Sequence, residues 1–207
     1  FPETTAEVQA IVRLCNRHRI PYTPRGAGTG LSGGAMAAFG GLLISTKRMN
    51  RILEIDIPNR CLHAQAGVVN AKITAAVSEH RLHFAPDPSS QTVSTVGGNI
   101  SENSGGPHTL KYGVTDAHIL QVTLVDSDAE VRKIGGRVAG GPEFDLLGLV
   151  VGAEGTLGIV TEAWVKLTPL PKSIHTALAA FADPRDATES VAAILAAGIV
   201  PAALEMI

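Results

Sequence analysis

The sequence has little cysteine, little net charge and no long apolar run. Its two cysteines, Cys15 and Cys61, exclude a disulfide framework and indicate a reducing compartment. With a net charge of −2 at pH 7, the sequence lacks the excess of basic residues that is typical of nucleic-acid-binding proteins. The longest apolar runs, such as residues 146–151, are far shorter than the roughly 20 residues of a membrane span. No spacing of Glu and His predicts a metal site.

Glycine, in contrast, is abundant and clustered, most densely in residues 25–34. This stretch reads Arg-Gly-Ala-Gly-Thr-Gly-Leu-Ser-Gly-Gly and follows a short apolar run. Glycine lets the backbone take positive φ and approach a ligand closely, since no Cβ intervenes. Consecutive N–H groups in such a turn form a concave nest that favours phosphate, and Arg25 adds a fixed positive charge. The stretch therefore predicts a phosphate-binding loop.

Two common phosphate motifs do not fit this loop. No Gly-Lys-Ser/Thr closes it, so it is not a Walker A loop. Gly28-x-Gly30-x-x-Gly33 matches the Rossmann dinucleotide fingerprint, and Glu54 follows at about the expected ~20 residues. That fingerprint must open a helix, whereas the segment after this loop is cut short by Gly40-Gly41 and leads into an apolar strand. The match to the Rossmann fingerprint is accidental.

Three further motifs follow in order along the chain. The second glycine cluster spans residues 86–106, and its Gly97-Gly98 pair predicts a tight turn that permits close backbone approach. The motif Lys-Tyr-Gly-Val-Thr occupies residues 111–115, and the third cluster spans residues 152–162. Together the four motifs resemble the PCMH-type FAD-binding domain of the vanillyl-alcohol-oxidase superfamily. They are most similar to the group of the glycolate oxidase flavoprotein subunit, D-lactate dehydrogenase and D-2-hydroxyglutarate dehydrogenase. The resemblance covers residues 2–171, and the motifs are jointly specific.

The fold that this resemblance implies is α+β, with two domains. We expect the FAD-binding domain at residues 1–172, built from two α/β subdomains at about 1–56 and 57–172. Residues 173–207 would be the start of a substrate-binding cap domain, present only as its first β-α-β unit.

Periodicity and capping signals place the individual elements. A capping box at Thr4-x-x-Glu7 starts the first helix, with Cys15 on its apolar face. Asn70 caps a second helix, and residues 142–149 form a short third one. In the cap, Asp186-x-x-Glu189 starts an Ala-rich helix that ends at Gly198. Strands are predicted at residues 20–23, 42–45, 52–56, 62–66, 118–125, 129–134, 159–167, 175–181 and from 202 onward.

The resemblance also implies the residues that hold FAD. The first loop suits the pyrophosphate, and the other motifs would line the ribityl, pyrophosphate and flavin portions. Several superfamily members attach the flavin through a histidine at the position of Thr29, so we expect noncovalent FAD here. The implied cofactor residues are Arg25, Gly26, Ala27, Gly28, Thr29, Gly30, Leu31, Ser32, Pro86, Asp87, Thr92, Gly97, Gly98, Asn99, Ser104, Gly105, Tyr112, Gly113, Glu154, Gly158, Ile159 and Val160.

Catalytic residues are harder to place in this chain. The resemblance puts the substrate-binding and base residues in the cap, beyond Ile207. Within the chain, His108 is the candidate, because it lies in the segment expected near the flavin and a histidine titrates near neutral pH. A structural hydrogen bond is the alternative for His108. The other histidines fit surface or structural roles.

The implied activity is oxidation of a 2-hydroxy acid to a 2-oxo acid, with hydride transfer to flavin N5. We expect a small 2-hydroxy acid as substrate, an electron acceptor or partner subunits, no nucleic acid and no transmembrane segment. The expected location is cytoplasmic, with peripheral membrane association through partners. This chain alone should be inactive. Two alternatives stay open: a noncatalytic flavin-carrying electron-transfer module, and another oxidoreductase of the same flavin fold.

Overall fold

The computed structural model describes residues 1–137 and 144–206. Its α-helices are α1 (Thr5–His18), α2 (Asn70–Val77), α3 (Val96–Glu102), α4 (Thr109–Tyr112), α5 (Leu146–Val150) and α6 (Pro184–Ala196). Its strands are β1 (Tyr22–Arg25), β2 (Leu42–Ser45), β3 (Ile52–Asp56), β4 (Cys61–Gln65), β5 (Leu82–His83), β6 (Ile119–Val125), β7 (Val131–Gly135), β8 (Ile159–Lys166) and β9 (Thr168–Pro169). The α+β class is confirmed.

Five strands form an antiparallel sheet in the order β3-β4-β8-β6-β7, while β1 pairs with β2 in parallel and β5 pairs with β9. In the central strands Leu62 lies opposite Val165, and Val122 lies opposite Ala163. Residues that lie opposite each other on neighbouring strands share one face of the sheet. The side chains of these four residues all enter the same large core. Apolar side chains of α2 and α3 complete that core.

Strand β8 changes face at its start. The sequence predicts that every second residue of Ile159–Leu167 shares one face, and the residues from Ala163 onward do lie in the large core. Ile159 instead joins a second core, while Val160 enters the first. Thr123 and Leu124 are consecutive in β6 but lie opposite Glu162 and Val160, so Thr161 is an extra residue in β8, and such a bulge reverses the alternation of side chains along that strand. The predicted face was therefore wrong for Ile159.

Helix α1 begins as the capping box predicts, with the Thr4 hydroxyl accepting a backbone N–H of the first turn. It ends at Arg19, whose φ of 53° is left-handed. The N–H of Ile20 then bonds back to the Cys15 carbonyl at 2.9 Å. Because these residues finish the helix, β1 starts at Tyr22, two residues later than predicted.

Two predictions around the second glycine cluster were wrong. Gly97 and Gly98 lie in helix α3, although glycine is a poor helix former and a turn was expected. A capping hydroxyl and the burial of Ile100 in the core stabilise this helix. Asn70 is the first residue of α2 rather than its N-cap, because its buried amide donates to the Pro86 carbonyl at 2.9 Å.

The predicted β-α-β unit of the cap is only partly formed. Its helix is α6, which Asp183 caps instead of Asp186 by accepting the Arg185 N–H at 2.8 Å. Residues 175–181 and 202–206 are not strands. No described strand pairs with them, and unpaired backbone groups do not stabilise an extended segment.

The remaining comparisons with the sequence predictions concern the boundaries of domains and helices. β3 hydrogen-bonds to β4, so the sheet joins residues on both sides of the predicted subdomain boundary at residue 56. The division into domains stays a prediction. The predicted short helix at residues 142–149 is α5, which starts at Leu146; residues 142 and 143 lie outside the described part of the chain.

Replacing Leu62 by alanine should destabilise the fold strongly. Leu62 is fully buried in the large core, and Leu→Ala at such a site costs about 2–5 kcal/mol. Leu178 is 90% exposed, so Leu178→Ala is the matched control and should cost less than about 0.5 kcal/mol. Urea unfolding of both variants measures the difference. Equal unfolding midpoints would contradict the assignment of the core.

Candidate functional site

The three glycine clusters meet at one open cavity of about 510 Å³. It lies between the first glycine loop, the α3 region and the turn before β8. The predicted cofactor residues that line it are Arg25, Gly26, Ala27, Gly28, Thr29, Gly30, Leu31, Gly97, Gly98, Asn99, Ser104, Gly105, Glu154, Gly158, Ile159 and Val160.

Other predicted residues do not line this cavity: Ser32, Pro86, Asp87, Thr92, His108, Tyr112 and Gly113. Ser32 and Thr92 are exposed, whereas Pro86 is buried and the others are half-buried. The structure brings Asp87, His108 and Tyr112 together in a separate cluster. Their cofactor roles, like those of the lining residues, remain predictions.

Several lining residues were missed by the sequence reading, including Ser94, Thr95, Glu102 and Asn103. A signal for two of them was present. Thr95 precedes the segment that becomes α3, as an N-cap does, and Asn103 ends it at a φ of 49°, a position that asparagine tolerates. Recognising α3 would have placed both residues beside the glycines.

The first and second clusters touch through Gly26 and Thr95. A Cβ on Gly26 would collide with the Thr95 hydroxyl oxygen. The same oxygen accepts the Gly98 N–H at 3.4 Å. Any larger residue at position 26 would therefore push the loop away from α3 and open the cavity wall.

The two glycines of α3 have different roles. A Cβ on Gly97 would lie 2.7 Å from the Ala66 Cβ, so Gly97 is required by packing against the protein. A Cβ on Gly98 would meet only Thr95 Oγ1, at 3.2 Å. Neither glycine has positive φ, in contrast to Gly28 at 75°. The expected tight turn at 97–98 is thus a close helix contact.

Backbone N–H groups are used differently on the two sides of the cavity. The first turn of α3 is already paired, since Val96 and Gly97 donate to the Val68 and Ala66 carbonyls. In the first glycine loop, no N–H from residues 27–35 donates a hydrogen bond within the described part of the chain. These N–H groups are the donors left available for an anion.

A buried amide network holds the second cluster in place. Asn70 donates to the Pro86 carbonyl at 2.9 Å, and its own oxygen accepts from Asn99 at 2.9 Å. The Asn99 oxygen in turn accepts from the Ser104 hydroxyl at 3.4 Å. The Asn99 side chain, predicted to contact the cofactor, therefore fixes the cavity wall.

Ser94 is the exception to this pairing. Its backbone is fully used, with N–H to Ser90 at 2.7 Å and the carbonyl accepting from Asn70 at 2.9 Å. The side chain is buried, and its hydroxyl has no partner among the described residues. An unpaired buried hydroxyl costs about 1–3 kcal/mol. Ser94 is also one of the residues that line the cavity.

The charged residues lining the cavity are Arg25, Glu102 and Glu154. The Arg25 guanidinium folds back beneath Gly28, where a Cβ would lie 2.6 Å from one of its nitrogens. The Glu102 carboxylate lies 3.4 Å from the position of a Cβ on Gly30. Glu154 has a φ of 52° and donates its N–H to the Ser101 carbonyl at 2.8 Å. The cavity can thus offer hydrogen-bond acceptors as well as a cation.

Three histidines surround Tyr112, which does not line the cavity. His118 bonds to the Tyr112 carbonyl at 2.8 Å through Nε2, and the His83 ring packs edge-on against the Tyr112 ring at 5.7 Å. Burial lowers the pKa of both His83 and His118. His108 bonds to Asp87 at 2.6 Å and its ring lies 6.3 Å from that of Tyr112.

Comparison with known proteins decides the family. The profile of the FAD binding domain matches residues 1–135. The chain belongs to the FAD binding domain family. FAD fits the cavity described above, which combines unpaired loop N–H groups with an unpartnered buried hydroxyl.

Relatives of this FAD-binding domain match it across almost its whole length. It is 45% identical to the glycolate oxidase subunit GlcD of Bacillus subtilis, covering 100% of this chain and 44% of the relative. The D-lactate dehydrogenase of Anaerostipes hadrus is 38% identical, over 98% of this chain and 42% of the dehydrogenase. The D-2-hydroxyglutarate dehydrogenase of Stutzerimonas stutzeri is 34% identical, over 99% of this chain and 49% of that relative. The chain spans less than half the length of these relatives.

The fold of this FAD-binding domain is also found in solved structures. An alkyldihydroxyacetonephosphate synthase superposes with a TM-score of 0.72 at 25% identity, covering 83% of this chain and 34% of the synthase. Across residues 1–137 and 144–206, the helices are too short or too polar to cross a membrane. The same residues contain no group of three or more His, Cys, Asp or Glu side chains suited to a metal ion.

Replacing Ser94 by alanine should weaken FAD binding about tenfold, the loss of one hydrogen bond worth about 1–1.5 kcal/mol. Without FAD, the variant should be as stable as the wild type or slightly more so, because an unpaired buried hydroxyl disappears. Fluorescence titration with FAD and urea unfolding measure the two effects. Ser127→Ala, at an exposed turn, is the control. An unchanged FAD affinity would show that the Ser94 hydroxyl does not face the cofactor.

Proposed function

We propose that this chain is the FAD-binding part of an oxidoreductase that converts a 2-hydroxy acid into a 2-oxo acid. The observation that carries the FAD part is the meeting of three glycine clusters at one cavity that contains an unpartnered buried hydroxyl. The substrate class rests on relatives named for glycolate, D-lactate and D-2-hydroxyglutarate, which match across the chain.

The free N–H groups of residues 27–35 and the Arg25 guanidinium would hold the FAD diphosphate. Ser94 would donate its hydroxyl proton to a cofactor oxygen. Glu102 and Glu154 would accept hydrogen bonds from ribose or ribityl hydroxyls. When bound, FAD supplies the acceptor for the hydride that leaves the substrate carbon.

The attachment of FAD should be noncovalent. Thr29 occupies the position where a linking histidine is expected by resemblance. The described residues that line the cavity include no His, Cys or Tyr, so no side chain there could form a flavin bond. Cys15 and Cys61 are buried elsewhere, and burial raises the pKa of both thiols.

Substrate binding should need more protein than this chain. A 2-hydroxy acid carries a carboxylate, which is best oriented by cationic groups. Arg25 is the one cation among the described lining residues, and the FAD diphosphate would use it. We therefore place the carboxylate clamp beyond residue 207, and we expect an electron acceptor or partner subunits to reoxidise the enzyme. A cytoplasmic location fits this role.

Acid precipitation of the purified, FAD-loaded chain tests the mode of attachment. Noncovalent FAD should leave the denatured protein completely, so all the yellow colour should appear in the supernatant. Absorbance of the supernatant and flavin fluorescence of the washed pellet measure how much flavin is released and how much stays with the protein. Colour retained in the pellet would refute noncovalent attachment.

The second test compares turnover by the 207-residue chain and by the full-length protein. Positioning of substrate supplies on the order of 7–11 kcal/mol of rate enhancement, so the chain without a carboxylate clamp should have almost no activity. Dye-linked oxidation of glycolate, D-lactate and D-2-hydroxyglutarate is measured at matched flavin content. Comparable rates would place the whole active site within residues 1–207.

A full-length protein that binds FAD but oxidises none of these acids would refute the proposed activity. Flavin reduction only by a partner protein would favour an electron-transfer module instead. Stopped-flow bleaching of the flavin absorbance distinguishes the two reductants.

A further inference from the structure

His118 is a buried histidine with only one of its ring nitrogens paired. It is 3% exposed, and its Nε2 lies 2.8 Å from the Tyr112 carbonyl oxygen. A carbonyl can only accept a hydrogen bond, so Nε2 carries the proton of the neutral ring. Nδ1 then holds the lone pair, and it has no hydrogen-bond partner among the described residues.

Protonation of His118 would create a buried cation. The added proton would go onto Nδ1, where nothing in residues 1–137 and 144–206 pairs with it, and an unpaired buried charge is costly. Burial is the main cause that lowers the pKa of His118. The hydrogen bond to Tyr112 and the charge of Asp116 raise this pKa, whereas Lys166 and His83 lower it further. The folded protein therefore keeps the ring neutral.

The 3₁₀ turn Thr115–His118 holds two residues of the cavity wall. The Thr115 hydroxyl donates to the Ser104 carbonyl at 2.7 Å, and the Asp116 N–H donates to the Asn103 side-chain oxygen at 2.9 Å. Both Asn103 and Ser104 line the cavity. The turn that places the buried histidine thus also places this part of the wall.

The groups around His118 and its partner Tyr112 are mostly basic. The titratable and charged side chains contributed by the neighbouring segments are His83, Asp87, His108, Lys111, Asp116 and Lys166. Asp87 is already paired with His108 at 2.6 Å, and burial lowers the pKa of His83 as well. A proton on His118 would therefore meet little compensating negative charge.

We propose that His118 is a pH-sensitive anchor for the turn Thr115–His118, and so for one wall of the FAD cavity. The neutral ring stays in the core and holds the turn against the Tyr112 carbonyl. Protonation drives the ring towards water and releases the turn together with its bonds to Asn103 and Ser104. This inference rests on the proposed binding of FAD in the cavity.

The direction of the pH effect follows from where the proton binds. When the turn is released, His118 is exposed to water and takes up a proton near its ordinary pKa of about 6.5. The anchored ring takes up a proton only at lower pH, because burial lowers its pKa. The anchored form is therefore fully favoured above about pH 6.5 and loses stability as the pH falls below that value, by up to about a factor of ten per pH unit.

FAD titrations of the purified chain at several pH values test this inference. The Kd for FAD should rise about threefold or more from about pH 7.5 to about pH 5.5, because the released turn no longer holds the cavity wall. Flavin fluorescence measures Kd at each pH.

Two histidine variants identify the group responsible. His118→Gln should remove the pH dependence, since the glutamine amide can donate to the Tyr112 carbonyl but does not titrate. His80→Gln replaces an exposed histidine and is the matched control, which should keep the pH dependence of the wild type.

Amide hydrogen exchange of the wild-type chain needs neither a variant nor FAD. The Asp116 N–H, bonded to Asn103, should lose protection about tenfold from about pH 7.5 to about pH 5.5 after correction for the intrinsic exchange rate. The amides of the central strand β8 should lose much less, because the turn opens locally. An equal loss in both segments would indicate global unfolding and would overturn the anchor.

The outcomes separate this inference from the proposed function. A wild type that binds FAD equally well at both pH values would overturn the anchor and leave FAD binding intact. A pH dependence that persists in His118→Gln would also overturn it, since another group would then be responsible. A chain that binds no FAD even at pH 7.5 would contradict the proposed function, and the exchange of the Asp116 amide would still decide whether the anchor exists.

Discussion

The contact between Gly26 and the Thr95 hydroxyl sets the shape of the site. It brings the first glycine loop onto the capped start of α3, and the cavity lies between these two segments. Glycine is required at position 26 because any Cβ would occupy the space of the hydroxyl. Thr95 also caps α3 through the Gly98 N–H. One hydroxyl thus couples the formation of a helix to the closure of the cavity wall.

The amides that build the cavity wall are paired within the protein, whereas the first glycine loop and Ser94 leave hydrogen-bond donors unused. The amides of Asn70 and Asn99 bond to each other and to neighbouring segments. The loop N–H groups at 27–35 and the Ser94 hydroxyl have no partner in the described residues. The loop N–H groups lie in a largely exposed segment, whereas the Ser94 hydroxyl is buried, and buried polar groups are rarely left unpaired in folded proteins.

Burial separates the histidines near this wall by chemistry. His83 and His118 bond to main-chain carbonyls, and burial favours their neutral forms. His108 differs because its partner is a carboxylate and its ring remains accessible. The same turn that carries His108 contributes Gly105 to the cavity, so this turn connects the cavity to the contact between His108 and Asp87.

Local patterns in the sequence were enough for the class of fold, most strands, the capping of α1 and the glycine-rich loop within residues 25–34. Each of these depends on neighbours in the chain: alternation, a capping hydroxyl, or the freedom of glycine. Contacts between distant residues decided the rest. A bulge at Thr161 in β8 moved Ile159 to another core, the Thr95 cap and the burial of Ile100 stabilise a helix at residues 97–98, and residues 175–181 have no partner strand among the described residues. Which glycine lines the cavity, which amide is already paired and which histidine meets Asp87 depended on tertiary structure, because burial and pairing arise only when separate segments meet.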